Sequence, residues 1–459
     1  MKKLILFCCF LFTSSLCAQN FWSEFSTSQP TNATGVSSIS IVSPTTTWLN
    51  MKCGTAGCST IRRYAKTTNG GSVWTTGAID LGPDSQNLEI SNIHGVSESV
   101  AYASVFPKTL NVVGGVWKTV DGGESWSRQP SAAFDSPTSF VTAVHFWNAN
   151  EGVAMGDQRD GYFEIYTTLD GGENWSRVPS SSSLIALAED EYGIFNDFTV
   201  RGNVIWAYTT YGRILKSVDK GVTWTVMQSP VGVDFFNPLI IDVNRLNLSF
   251  TDENNGLLLT NDWRLFNTTD GGLTWSIVQW QGNMRNFNIA AVPGLANTYI
   301  SIGEDLNFAE RGSSYTIDNG LNWIDIDNNP DVVHVDGGTI QMLNEDYGFA
   351  SGFSTSPTEG GVFRWGGGPM LRQAILLAAT FSANQSLSAY PNPTTRDVAI
   401  RGKKISKIEV FDFIGKKILE ENYDSLDLVK VELNHLNAGV YFLNVTQEKG
   451  KFSLKVIKK

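Results

Sequence analysis

The sequence predicts an all-β protein: a seven-bladed β-propeller followed by a small C-terminal β-sandwich. Three observations predict it. An octapeptide recurs six times in the 459 residues, ending at Trp74, Trp126, Trp175, Trp224, Trp275 and Trp323. Successive copies end 52, 49, 49, 51 and 48 residues apart with strand-like runs between them, the signature of a radial or stacked repeat. Beyond Gly366-Gly367-Gly368 the composition changes, and short stretches alternate apolar and polar residues in period two.

Each octapeptide reads hydroxyl, any residue, acid, any residue, glycine, two more, tryptophan. Its acid is Asp121, Asp170, Asp219, Asp270 or Asp318, with Asn69 in the first copy. A carboxylate and a hydroxyl can both accept from backbone N–H groups just downstream and so lock a chain reversal. The glycine at the fifth position, as in Gly71 and Gly172, supplies a positive φ. The tryptophan opens the next strand and lays an apolar face over the turn. Every residue serves the turn, so the six copies are expected to be structural rather than acids or metal ligands. The octapeptide resembles the Asp-box of sialidase-type (BNR), sortilin-like and photosystem II assembly factor-like β-propellers. That resemblance implies a place on the blade periphery, away from the ligand face.

The chain opens with Lys2-Lys3, an apolar run from Leu4 to Phe12, and small residues up to Ala18. Residues 1–18 are expected to be a secretory signal peptide cut after Ala18. No later run approaches the ~20 apolar residues of a transmembrane helix, so no transmembrane segment is expected. Cys8, Cys9 and Cys17 leave with the signal, and Cys53 and Cys58 remain. A close pair in an exported chain reads as a disulfide. The alternative, a metal clip, lacks partners, because the four histidines are scattered.

Residues 19–368 carry the blades. The third copy parses most plainly: strands at 141–147 and 152–156, a loop at 157–161, a strand at 162–168, and a fourth from Trp175. Four short strands per repeat of about fifty residues fit a propeller blade. Residues 339–365 hold three strands of a further repeat with no octapeptide. The segment Phe21-Trp22-Ser23-Glu24-Phe25 reads as the missing fourth strand, so a seventh blade would be closed by both chain ends, which removes a free sheet edge. Residues 21–366 divided by seven give about 49 residues per blade, matching the period.

Residues 369–387 are expected to be a linker, with an apolar patch at 374–379. In residues 388–459, strands are expected at 407–412, 440–445 and 452–457, with turns at 414–416 and 447–450. The segments YPNPT at 390–394, IEVFDFIGKKI at 408–418, LNAGVYFLNV at 436–445 and the closing KVIKK resemble the type A C-terminal sorting domain of the type IX secretion system. That resemblance implies transport across both membranes, the secretion machinery as partner, and a secreted or cell-surface product.

Residues 19–385 carry 19 Lys+Arg against 36 Asp+Glu, while the tail carries 13 against 9. An acidic propeller argues against nucleic acid or anionic lipid as a partner. Propeller ligands usually meet the loops between second and third strands and between blades. Here those loops hold Asp157, Arg159, Asp160, Tyr211, Arg213, Asp262, Trp263, Arg264, Glu304 and Asp305, which could bind a glycan or a protein, or supply an acid/base pair. A sialidase would need clustered arginines, a Tyr/Glu nucleophile pair and six blades. A xyloglucanase-like hydrolase would place its acids on two facing propellers. Neither pattern is met, so no catalytic residue and no cofactor is assigned, and a carbohydrate-active enzyme is the alternative reading. The run Asp325, Asp327, Asn329, Asp331 and Asp336 mimics a calcium loop, but Pro330 stands where the sharp turn needs glycine. No metal site is expected.

Overall fold

The computed structural model describes residues 21–30, 33–54, 60–109, 112–136, 139–231, 247–260, 263–306, 311–327, 338–366, 387–412, 416–448 and 450–459. Among them the secondary structure is β, apart from two short 3-10 turns. The chain divides into two compact units, Met1–Gly367 and Gly368–Lys459.

The first unit is a succession of four-stranded antiparallel sheets, each meandering outward from an inner strand. After β1 (Trp22–Ser26), the first sheet runs β2 (Thr34–Ile41), β3 (Thr47–Cys53), β4 (Arg63–Thr67) and β5 (Thr75–Ala78). The second holds β6 (Leu88–Gly95), β7 (Ala101–Pro107), β8 (Gly115–Thr119) and β9 (Ser127–Arg128). The third holds β10 (Val141–Phe146), β11 (Gly152–Arg159), β12 (Tyr162–Thr168) and β13 (Trp175–Arg177). The fourth holds β14 (Gly193–Arg201), β15 (Val204–Thr209), β16 (Arg213–Ser217) and β17 (Thr225–Gln228). The fifth holds β18 (Asn247–Phe250), β19 (Gly256–Leu259), β20 (Leu265–Thr268) and β21 (Ser276–Ile277).

In the sixth, a short β22 (Gln281–Gly282) joins β23 (Asn288–Ala291), β24 (Tyr299–Glu304), β25 (Arg311–Thr316) and β26 (Asn322–Asp327) through a parallel pairing with β26. Last come β27 (Ile340–Asn344), β28 (Tyr347–Ser356) and β29 (Glu359–Trp365). Their outer partner is β1, which pairs antiparallel with β29 in the register Trp22↔Trp365 to Ser26↔Gly361. The chain start therefore completes the last sheet. That sheet also joins the first, where β2 meets β28 at Gly35↔Phe353. A Cβ on Gly35 would sit 2.5 Å from the Phe353 ring, so only glycine permits that approach.

The inner strands pack in cyclic order: β2 on β6, β6 on β10, β10 on β14, β14 on β18, β18 on β23, β23 on β27, and β27 back on β2. The core lies between adjacent sheets rather than within any one of them. Tyr102 and Val116 of the second sheet bury against Phe146, Tyr166 and Trp175 of the third, with the Tyr102 and Phe146 rings stacked at 3.8 Å. Trp206 of the fourth stacks on Phe250 of the fifth at 4.0 Å.

The octapeptides form the turns between third and fourth strands. In the third sheet the Thr168 hydroxyl oxygen accepts from Gly172 N at 2.9 Å, and Asp170 Oδ1 accepts from Asn174 N at 2.9 Å. The other five copies repeat both bonds. Gly172 has φ +83°. Trp74, Trp224, Trp275 and Trp323 donate their indole N–H to the fifth-position glycine carbonyl.

A contact between sheets reinforces the turn. Lys118 Nζ and Tyr102 Oη of the second sheet both donate to the Gly171 carbonyl, at 2.8 and 2.6 Å. Lys66 reaches Gly122 and Lys216 reaches Gly271 in the same way. Across the seam, Arg364 of β29 donates to the Gly70 carbonyl at 2.9 Å.

Two local expectations change. The loop at 157–161 is mostly strand: β11 continues to Arg159, and only Asp160-Gly161 turns, both residues at positive φ. Such a two-residue turn follows the strand twist, so pairing runs to its edge.

In the second unit, β30 (Ser388–Tyr390), β31 (Asp397–Phe411), β32 (Lys417–Glu432), β33 (Gly439–Gln447) and β34 (Gly450–Lys458) form one five-stranded sheet. The register of β31 on β32 shifts between Arg401 and Lys407. Both halves of β31 feed one core, which includes Val398, Ile400, Ile408, Val410, Leu443 and Val456. The strand β32 was not among those expected from sequence, and most of its side chains are exposed. The linker patch at 374–379, with most of 369–387, lies outside the described residues.

Candidate functional site

In a four-stranded meander, the turns after the first and third strands leave one end of the sheet and the hairpin after the second strand leaves the other. The octapeptides therefore share one face, and the residues expected to bind lie on the opposite one. The structure gives these residues different fates.

Arg213 is buried and bidentate to Glu191, Nε to Oε1 at 2.7 Å and Nη2 to Oε2 at 2.6 Å. Glu191 also accepts from the Thr209 hydroxyl and from Leu187 N, both at 2.7 Å. A carboxylate and guanidinium satisfied this fully hold the connection into the fourth sheet. Arg159 bonds Asp135 at 2.9 Å and the buried Glu164 at 3.3 Å, and Glu164 takes the hydroxyls of Ser139 and Tyr166. Glu304 is paired by Arg311 at 2.6 Å.

Asp157 is only 6% exposed. Its Oδ1 accepts from Gly193 N at 2.9 Å, and burial raises its pKa to about 8 despite that bond. It anchors the start of β14 from within the third sheet.

Asp160 and Arg264 stand exposed, and Tyr211, Trp263 and Asp305 are half-buried. Tyr211 Oη donates to Asp190 at 2.6 Å, and this bond raises the phenol pKa. Trp263 holds φ +71° at its hairpin tip, and the Arg264 guanidinium lies 5.7 Å over the Phe266 ring. Asp262 lies outside the described residues, as does Cys58, the expected partner of Cys53 at the end of β3. Asp325 pairs with Arg285 at 3.0 Å, whereas Asn329, Asp331 and Asp336 of the calcium-like run lie outside the described residues.

The inner strands surround a channel of about 510 Å³, the size of a small-ligand pocket. His94 and His145 meet in its wall with ring centroids 4.5 Å apart. Burial lowers His94 to about 4, against a 2.9 Å contact with the Phe146 carbonyl that works the other way. Burial, then the neighbouring His94, lowers His145 further, so both rings are neutral.

Between Gly193 and Phe198 the pairing of β14 with β15 breaks into a bulge. Phe195 of this bulge stacks on Phe106 of the second sheet at 4.3 Å. Asn196 Nδ2 donates to the Ser37 carbonyl of the first sheet at 3.5 Å. The bulge therefore reaches over the channel, and it carries Asp197. The Asp197 Oδ2 is buried without a hydrogen-bond partner, and burial raises the pKa to about 7.

Sequence reasoning did not find Glu191, Glu164, Asp197 or Arg201. No local pattern marked them: Glu164 sits on a third strand, Glu191 precedes β14, and Asp197 and Arg201 lie on the bulged β14 itself. Among the described residues, no three His, Cys, Asp or Glu side chains converge as a metal site, and no helix is long and apolar enough to cross a membrane.

No curated protein matches the chain. Among solved structures, YCF48 bound to D1 peptide is similar at 16% identity over 76% of this chain and 96% of that one, with a TM-score of 0.51. YCF48 from Cyanidioschyzon merolae gives 16% identity over 75% and 98%, with a TM-score of 0.49. PorZ, an essential bacterial surface component of the type-IX secretion system of Porphyromonas gingivalis, gives 12% over 91% and 68%, with a TM-score of 0.31. At such identities the first of these speaks for a propeller fold and nothing finer. Residues 388–459 match the secretion system C-terminal sorting domain. The chain thus joins an all-β, propeller-like body to a type IX sorting domain, and it is exported to the cell surface or secreted.

Proposed function

We propose that the protein is a non-catalytic recognition module: a seven-bladed propeller, delivered by its sorting domain, that binds a glycan or protein on the face opposite the octapeptide turns. The cyclic contact of seven inner strands, with β1 completing the last sheet, supports the blade count. The register shift within β31 would let the tail's sheet fold over its shared core as a sandwich.

The observation that carries the binding reading is the mixture of aromatic and charged side chains that reaches the surface of the loop face. Arg159, Arg213 and Glu304 are committed to ion pairs. Asp160, which also pairs with Arg159 at 3.8 Å, and Tyr211, Trp263, Arg264 and Asp305 are exposed or half-buried on the same face, and Leu187, Tyr192 and Phe195 are exposed as well. Aromatic and aliphatic groups rimmed by polar ones make a recognition surface. Among the described residues, the channel wall carries one carboxylate, Asp197, whereas hydrolysis by an acid pair needs two about 5–10 Å apart. A propeller of similar fold has been solved with a peptide bound, which favours a protein ligand, and the acidic body of this one favours a neutral or basic partner.

Glycan and peptide arrays, run beside a hydrolysis screen on the captured ligands, test this reading. Retention without turnover supports it. Turnover lost in Asp157→Asn or Asp262→Asn would establish the carbohydrate-active alternative instead.

The bridge between Cys53 and Cys58 belongs to the same proposal and would stiffen the loop after β3. Its six-residue loop is worth about 2 kcal/mol, and a free-thiol titre of two on the unfolded, unreduced chain would refute it. Signal cleavage after Ala18, and a tail of 388–459 joined by the 369–387 linker, are likewise proposed. Mass spectrometry of the exported product gives both ends directly, and an intact N-terminus would refute the first.

A further inference from the structure

Arg201 ends β14 and lines the central channel at the end shared with the octapeptide turns. Its Nη1 donates at 2.8 Å to the carbonyl of its own neighbour, Val200, and its Nε is buried with no partner. Among the described residues no carboxylate pairs with it. Other enclosed arginines are mostly neutralised: Arg213 has Glu191 at 2.6 Å, Arg285 has Asp325 at 3.0 Å and Arg159 has Glu164 at 3.3 Å, whereas Arg128 is held by the Gly114 and Phe134 carbonyls and Arg63, like Arg201, buries an Nε without a partner. A walled-in guanidinium without a counter-charge is expensive, and proteins normally neutralise it. Arg201 is partly exposed and lines the channel, which gives a completing group a way in.

The surrounding wall suits an anion. Beside Arg201, Trp147 donates its indole N–H to the Gly202 carbonyl at 2.9 Å, and His145 stands edge-on to Trp147 at 4.8 Å. These groups are neutral, as is the Tyr299 phenol near the guanidinium, and the carboxylate of Glu253, beside Gly202, makes no ion pair with Arg201 among the described residues. The unpaired carboxylate Asp197 lies four residues earlier on the same strand, roughly 13 Å away at the strand rise. The channel is therefore polarised along β14, positive at the turn face and acidic at the loop face.

We propose that the turn-face end of the central channel binds a small oxyanion, a carboxylate or a phosphate, on the Arg201 guanidinium. The planar fork of arginine takes such groups through two parallel N–H···O bonds. The site lies at the opposite end of the channel from the proposed recognition face and stands or falls independently of it.

The test is thermal unfolding of the full exported chain at constant ionic strength, with sodium chloride replaced stepwise by sodium acetate in one arm and by sodium phosphate in the other. Wild type is expected to gain melting temperature in a saturable way in at least one arm, and the arm that responds identifies the anion. Arg201→Gln removes the uncompensated charge. It should melt at the wild-type temperature or above in chloride and weaken anion binding by about tenfold or more, the scale of a charge-assisted hydrogen bond. Arg201→Lys keeps the charge without the fork and should bind weakly. General stabilisation by phosphate is non-saturable and would appear equally in Arg201→Gln. The proposal is overturned if wild type shows no saturable response in either arm or if Arg201→Gln responds like wild type. Destabilisation of Arg201→Gln in chloride also overturns it, since the guanidinium would then have a structural partner.

Discussion

Trp22 and Trp365 stand opposite each other where the first strand of the chain pairs with the last strand of the propeller, their indoles edge to face at 5.1 Å. Both are at most 2% exposed, and Trp22 Nε1 donates to Ser313 Oγ of the neighbouring sheet at 3.0 Å. The termini thus share one buried contact, so the ring cannot open at this seam without exposing two tryptophans.

Trp22→Ala should therefore cost about 3–5 kcal/mol, the range for truncating a buried aromatic. Urea unfolding followed by fluorescence gives the value. A loss under 1 kcal/mol would mean that β1 is an ornament on a ring closed by other means.

The bonds from Lys118 and Tyr102 to the Gly171 carbonyl couple the second sheet to the turn of the third. Lys118 also lies over the Tyr102 ring at 5.7 Å, so a replacement that keeps only its length forfeits both contacts. Lys118→Met should cost about 1–2 kcal/mol. A double-mutant cycle with Tyr102→Phe should give a coupling above 0.5 kcal/mol. Strict additivity would show that the carbonyl is solvated equally well without them.

Asp157 gives the stability a dependence on pH. Its folded pKa is about 8 against 3.8 for the free carboxyl, so between those values the folded state holds the extra proton. Stability from this group is complete below about pH 4 and is lost as pH rises through 8. Asp197, at about 7, acts in the same direction. The turn aspartates Asp121, Asp170, Asp219 and Asp270 act oppositely. In Asp270 burial opposes ionisation, but the Thr274 and Thr268 bonds prevail and hold the group at about 2. Its contribution is present above about pH 4 and lost as pH falls toward 2. Asp157→Asn should flatten the decline between pH 4 and 8 by up to about 1.4 kcal/mol per unit, while its amide oxygen still accepts from Gly193. An unchanged slope in denaturant melts across that range would show that the carboxyl is ionised and solvated.

The repeating part of the fold was legible because its causes are local. Thr168, Asp170 and Gly172 lie within five residues and bond to one another, and Trp175 follows at a fixed spacing, so the pattern announces the turn. Trp22 was legible as a stray fourth strand because the count of strands lacked one. The binding face was only partly legible. Arg213 reads as a loop arginine, and nothing nearby reveals that Glu191, 22 residues earlier, is folded onto it. Asp197 and Arg201 are ordinary polar residues until the sheets close around them, and a bulge such as that of β14 has no period to detect. In the tail, β32 escaped notice because most of its side chains face solvent and their polarity leaves no alternation to follow.

The central claim is that the turns are structural and the opposite face recognises a ligand. It is tested most directly by measuring unfolding free energy and array affinity together for Trp175→Ala and for Tyr211→Ala combined with Arg264→Ala. Trp175 is buried, and its truncation should cost about 3 kcal/mol or more while the folded fraction binds as wild type does. The loop-face pair should melt as wild type does and lose binding at least about tenfold, as removal of interface aromatic and arginine side chains does. The reverse pattern, with affinity lost at the turn and untouched at the loop face, would contradict the account.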